Sequence, residues 1–166
     1  MVEKFDYPGC MTTISYAAIT WPGAEMTSAN DSNELIDITK LYFGKADAGD
    51  PSILELFSDD VQLFFPKFGT RTGKEQVVAF VQGLMSQLDS LKHDVDTYNY
   101  IASGRIVVVE GTESGVAKNG EHWPVAGRSE GRFCNVFEFT GTLISRLHIY
   151  VDPDFSGQDD ARFYWG

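Results

Sequence analysis

The feature that most constrains this 166-residue chain is a change of hydrophobic period near its middle. A helix brings side chains back to one face every 3.6 residues, a strand every two. Leu35, Ile38, Leu41 and Tyr42 keep helical spacing and predict a helix over 33–47, with Ser32 as N-cap and Glu34 in its first turn. Gly49-Asp50-Pro51 restarts the chain, Asp50 capping a short helix, SILELF, with Pro51 at its first position. VQLFF (61–65) reads as a strand and PKFGTRTG as a loop. Thr72 with Glu75 forms a capping box for a helix over 73–88, striped by Val77, Phe80, Val81, Leu84 and Leu88. From Leu91 the period is two. Segments 91–102, 105–117, 128–140 and 143–152 read as long strands, joined by turns at SGR, KNGEH and TGT.

That order has no strand–helix–strand alternation, so the expected class is α+β, with helices packed on one face of a curved antiparallel sheet. Strongly bent and closed by helices, such a sheet makes an open-mouthed cone lined by alternate strand residues. Residues 33–166 form the expected single domain, and 1–32 an N-terminal extension. The uncharged stretch 7–24 is a poor signal peptide: Glu3 and Asp6 outweigh Lys4 before it, and Pro8-Gly9 and Pro22-Gly23 interrupt it.

Charge narrows the partners. The net charge of −11 argues against nucleic acid and anionic membrane, because such a surface repels phosphate. No run approaches the roughly 18 apolar residues of a membrane span. Cys10 and Cys134 are too few for a zinc cluster or a disulfide scaffold and fit a reducing, cytoplasmic setting. Aromatic residues at 13% favour an apolar pocket. Phosphate loops, dinucleotide loops, nucleophile elbows, HExxH and CxxC are all missing from the sequence. The expectation is therefore a small apolar ligand, with no metal and no cofactor.

Five places carry candidate chemistry. On 133–139 one strand face reads Phe133, Asn135, Phe137, Phe139. An amide among three rings either orients a ligand in an apolar pocket or is a buried Asn satisfied by backbone. His93 shares a face with Leu91, Val95, Thr97, Asn99 and Ile101. It is either a hydrogen-bonded core residue or, facing a pocket, the best acid/base candidate. Tyr42 lies on the first helix's stripe, as a core residue or as a phenolic donor to a carbonyl. Glu121-His122-Trp123 sits in a turn, solvated or rimming a pocket. On the last strand Leu143, Ser145, Leu147, Ile149 and Val151 are expected inside, with Arg146, His148, Tyr150 and Asp152 outside. Asp152-Pro153-Asp154 reads as a solvated turn or as a carboxylate pair.

LYFGKADAGDPSILELFSDDVQLFFP and NVFEFTGTLISRLHIYVDPDF resemble the opening and closing segments of the nuclear transport factor 2-like cone fold, across 33–155. That group holds SnoaL-like polyketide cyclases, ketosteroid isomerases, scytalone dehydratases, limonene epoxide hydrolases and non-catalytic binding members. The resemblance implies a cofactor-free dehydratase, isomerase or cyclase for a polyketide, terpenoid or steroid-like enone. The alternative is a binding module of the same shape. It implies Tyr42, His93, Asn135 and His122 as catalytic residues, Phe65, Phe133, Phe137 and Trp123 as substrate contacts, and a homodimer through the sheet. Phe65 stands where the isomerases carry their general-base carboxylate, which argues against isomerisation by that route.

Overall fold

The computed structural model describes residues 29–152 apart from 67 and 127. Residues 1–28 of the extension expected over 1–32, and the carboxylate at Asp154, lie outside the described residues, while 29–32 already belong to the first helix. Helix α1 (Ala29–Ala48) leads into a 3-10 helix (Pro51–Leu56), then strands β1 (Phe57–Phe65) and β2 (Gly69–Thr72), helix α2 (Lys74–Gln87) and β3 (Leu88–His93). A second 3-10 turn (Val95–Thr97) precedes β4 (Asn99–Ser103), β5 (Ile106–Ala117), β6 (His122–Trp123), β7 (Arg132–Thr140) and β8 (Leu143–Val151). Among the described residues, no helix is long and apolar enough to cross a membrane.

Helix and strand types follow the sequence; several ends do not. Asp50 caps the first 3-10 helix, its carboxylate accepting from the Ser52 N–H with Pro51 alongside. Ser32 lies inside α1, one turn beyond its start. Thr72 belongs to β2, and Gly73 caps α2 without a side-chain bond, so no capping box forms. The loop expected over 66–73 thus contains a short strand, paired with β1.

The cone closed by an all-antiparallel sheet is not what forms. The sheet is mixed and open: its strands run β2-β1-β8-β7-β5-β3, with β4 and β6 pairing β5. β1 lies parallel to β8, while the other ladders are antiparallel. β2 and β3 stand at opposite ends of this path, so the sheet keeps two edges. The helix and strands between β1 and β8 supply the long connection that parallel pairing needs, which hairpin reasoning from turns cannot see.

β5 is the spine. Its first half pairs with β4 and β7, its second half with β3 and β6. Two glycines let rings lie against it. A Cβ on Gly111 would meet the Tyr98 ring at 2.4 Å, and one on Gly115 the Trp123 ring at 2.2 Å. The expected strand 91–102 breaks at Asp94, which caps the second 3-10 turn. That break changes the face: Tyr98, Tyr100 and Ala102 pack on the core, while Asn99 and Ile101 are exposed. On β8 an irregularity between Glu138 and Phe139 of its partner moves Ile144 inward. Ile144, Leu147 and Ile149 are buried and Leu143 is exposed, so the expected inner face holds only from Leu147 onward.

The core lies between the helices and one sheet face. Leu35, Phe43, Val77, Val61, Val107, Val109, Phe137 and Leu147 are among its buried members. Thr39 and Phe43, not Leu41, complete the buried stripe of α1; Leu41 is 48% exposed. A smaller cluster joins Leu88, Ala117 and Trp123.

Candidate functional site

A cavity of about 370 Å³ lies beneath α1, the first 3-10 helix and α2, on the inner face of the sheet. Its wall is mainly apolar: Phe57, Leu63 and Phe65 from β1, Val77 and Phe80 from α2, Leu147 and Ile149 from β8. Tyr42, His93, Glu113 and Asn135 also line it, brought from α1, β3, β5 and β7. Val81 and Met85 of α2 line it too and are partly exposed, so the cavity meets solvent along that helix. Lys45 and Asp50 form a further polar stretch of the lining. Lys45 Nζ donates to Asp50 Oδ2 at 3.1 Å and to Ser52 Oγ. Hydrogen bonds from Ser52, then from Lys45, hold the Asp50 carboxyl down at about 2.

His93 is the most constrained group in this site. It ends β3 directly opposite Glu113 in the ladder. Its Nδ1 lies 2.5 Å from Asp47 Oδ1, and its backbone N–H donates to Asp47 Oδ2 at 2.9 Å. Its Nε2 lies 3.5 Å from Glu113 Oε2. The imidazole side chain is 8% exposed and that of Glu113 6%. Burial alone would lower the histidine's pKa; the hydrogen bonds to Asp47 and Glu113, and their charges, overcome it and raise it to about 9. Asp47 lies in the last turn of α1, where a carboxylate meets the negative end of the helix dipole. A charged imidazolium beside it offsets that mismatch. At neutral pH the ring is therefore a cation between two carboxylates.

Phe43 ties the polar groups together. Its ring centroid is 4.9 Å from His93, 5.2 Å from Tyr42, 5.7 Å from Phe133 and 6.0 Å from Phe137. Asn135 lies between Phe133 and Phe137 on one face of β7, and all three are buried. Tyr42 packs on Phe137 at 5.2 Å, and His93 on Phe133 at 5.9 Å. Phenol, amide and imidazole are thus ranged along one row of the wall. Burial, then the charges of Glu113 and Asp47, push the Tyr42 pKa upward, so its hydroxyl is held protonated as a donor. Asn135 Oδ1 and Glu113 Oε1 are buried with no hydrogen-bond partner.

Tyr42, His93, Asn135 and Phe65 therefore meet at one cavity, although they come from four distant elements. The other residues expected in the site lie elsewhere. His122 is exposed on β6. Trp123 is buried in the smaller cluster with Leu88 and Ala117. Phe133 and Phe137 stand in the core behind the lining. Asp152 accepts from Ser129 Oγ at 3.0 Å and from the Glu130 N–H at 3.2 Å, which clamps the loop before β7. Among the described residues, no group of three His, Cys, Asp or Glu side chains is placed to hold a metal ion.

Sequence reasoning missed Asp47 and Glu113. A signal for Glu113 was present: on one face β5 reads Val107, Val109, Gly111, Glu113, Gly115, Ala117, a single charge on an otherwise apolar row. Asp47 had none, because KADAGD looks like any solvated helix end.

Comparison with known proteins gives the same frame. The family model of the SnoaL-like domain matches residues 42–147. No curated protein matches the chain. A nuclear transport factor 2-like protein from Anabaena variabilis superposes with a TM-score of 0.63 at 18% identity, covering 78% of this chain and 96% of its own. A candidate polyketide cyclase from Pseudomonas putida gives 0.60 at 20% identity, over 70% and 90%. An LEH-like epoxide hydrolase from M. tuberculosis gives 0.56 at 16%, over 74% and 85%. At these identities the likeness is one of fold.

Proposed function

The chain belongs to the family of SnoaL-like domains, and from that premise we propose that its cavity catalyses cofactor-independent proton transfer on a small, mostly apolar carbonyl compound. The substrate class is a polyketide, terpenoid or steroid-like enone, and the reaction a dehydration, isomerisation or cyclisation. The observation that carries this reading is the convergence of Tyr42, His93 and Asn135 on one apolar hollow. Tyr42 and the Asn135 amide hold the carbonyl oxygen, and the charged His93 ring lies farther along the same wall as a proton donor. In a mainly apolar site an oxyanion donor lowers the barrier by ~3 kcal/mol, and a positioned acid adds roughly 10²–10⁴ in rate. Two structures of like fold are described as a candidate polyketide cyclase and an LEH-like epoxide hydrolase, which supports this reading.

A homodimer through the outer sheet face, which carries Arg146, His148 and Tyr150, and a cytoplasmic setting belong to the same reading. One observation favours the binding-module alternative: an apolar ring, Phe65, stands on the wall where the isomerases resembled here carry a base. The two are separated by following deuterium uptake from D2O at the α-carbon of β-tetralone by NMR. Catalysis is expected to speed uptake over buffer, and Tyr42→Phe to slow it by about 10²-fold. A bound ketone with no acceleration supports the binding module and contradicts the enzyme.

A further inference from the structure

We propose that Glu113 is a catalytic residue of this cavity: its carboxylate removes the proton from the carbon beside the substrate's carbonyl group. This rests on the proton-transfer reading above and names the acceptor which that reading lacks. Four groups near the cavity are chemically able to accept a proton, and geometry separates them; the two oxygens of Asp50 are taken by the Ser52 N–H and by Lys45 Nζ. His93 has no lone pair to offer, because Nδ1 faces Asp47 and Nε2 faces Glu113. Both oxygens of Asp47 are committed to His93, one to its ring and one to its backbone N–H. Glu113 alone keeps an oxygen in reserve. Its Oε2 faces the imidazole, while Oε1 is buried and has no partner.

A buried carboxylate oxygen left without a donor is costly, and in native structures such orphans call for an explanation. The rest of its strand face is valine, glycine and alanine, so beyond the pairing with His93, which uses only Oε2, nothing in the packing calls for an acid there. Glu113 lines the cavity, and its charge is one of the causes that hold Tyr42 protonated, which puts base and oxyanion donor within electrostatic reach.

The chemistry balances. Glu113 takes the proton as the C–H bond breaks. The electron pair moves to the carbonyl oxygen as an enolate, held by Tyr42 and Asn135. If Glu113 returns that proton to another carbon, the result is an isomerisation. If a hydroxyl leaves from the β-carbon instead, His93 gives it a proton and water departs. The proton on Glu113 then crosses to His93 Nε2, the 3.5 Å neighbour, and both groups are restored. A carboxylate is a weak base, so the substrate must carry an acidified C–H, as in enones and β-hydroxy ketones.

The test is β-tetralone deuteration by the full chain. Glu113→Gln is expected to slow uptake by about 10²–10⁴-fold, with its fold checked by circular dichroism. Glu113→Asp, which keeps the charge on a shorter arm, is expected to recover part of that loss. If Glu113→Gln exchanges at the parent rate, the proposal is overturned while the enzymatic reading stands. If the parent chain gives no acceleration, the enzymatic reading fails and this one with it. Should Glu113→Gln unfold, Glu113→Asp decides: an unchanged rate overturns the assignment, and a fall of about tenfold with an unchanged melt supports it.

Discussion

His93 and His148 sit on opposite faces of one sheet and are treated in opposite ways. On the inner face His93 ends β3 between two carboxylates, among the rings of Phe43, Tyr98 and Phe133. On the outer face the groups that His148 touches are neutral, Gln62 Oε1 at 3.3 Å and the rings of Phe64 and Tyr150, and the charges of Arg146 and Glu138 act from farther off. Partial burial, then the charge of Arg146, lowers its pKa, and Glu138 only partly offsets this. One imidazole is therefore kept charged where a cavity needs a cation, and the other kept neutral on a surface. What decides a histidine's role here is the sign of the charges its neighbours bring, since desolvation pulls both pKa values the same way.

The contrast can be broken from either side. The largest effect is expected from Asp47→Ala, which leaves a buried imidazolium with one distant partner. The Asp47 side chain is 27% exposed, so losing its hydrogen bonds to this charged residue is expected to cost about 2–3 kcal/mol, read from urea unfolding. A loss below about 1 kcal/mol, the scale of an exposed pair, would show that Asp47 does not hold the ring. Next comes pH. His93 has a folded pKa of about 9 against 6.5 unfolded, so its contribution is fully present below 6.5 and lost as pH rises through 9. The expected loss of stability between pH 6.5 and 9.5 is at most ~3 kcal/mol, and it should vanish in His93→Gln. His148 has the opposite sign: its folded pKa lies below 6.5, so its contribution is present above 6.5 and lost as pH falls. The smallest effect is expected from His148→Ala, within about 0.5 kcal/mol of the parent and without change in tetralone exchange. A large loss of exchange there would place chemistry on the wrong face.

The sequence was most legible where alternation is unbroken. Phe133, Asn135, Phe137 and Phe139 were assigned to one face and are all buried. It was least legible where one residue resets the phase. Asp94 turns Tyr98 and Tyr100 inward and Ile101 out, and the irregularity on β8 does the same for Ile144. β2, at four residues, is too short to show a period. The parallel β1–β8 ladder joins segments about eighty residues apart, beyond the reach of turn signals. Tyr42, His93 and Asn135 were each visible as candidates, and their meeting place came from family resemblance. Glu113 was visible as a lone charge and passed over, whereas Asp47 acquires meaning only when α1 is laid against β3.

The central claim is that at neutral pH the cavity holds a cation flanked by Asp47 and Glu113. Titration of the His93 ring nitrogens by NMR tests it most directly. Both nitrogens are expected to stay protonated at neutral pH, with a midpoint near 9. A midpoint at or below the ordinary 6.5 would contradict the account.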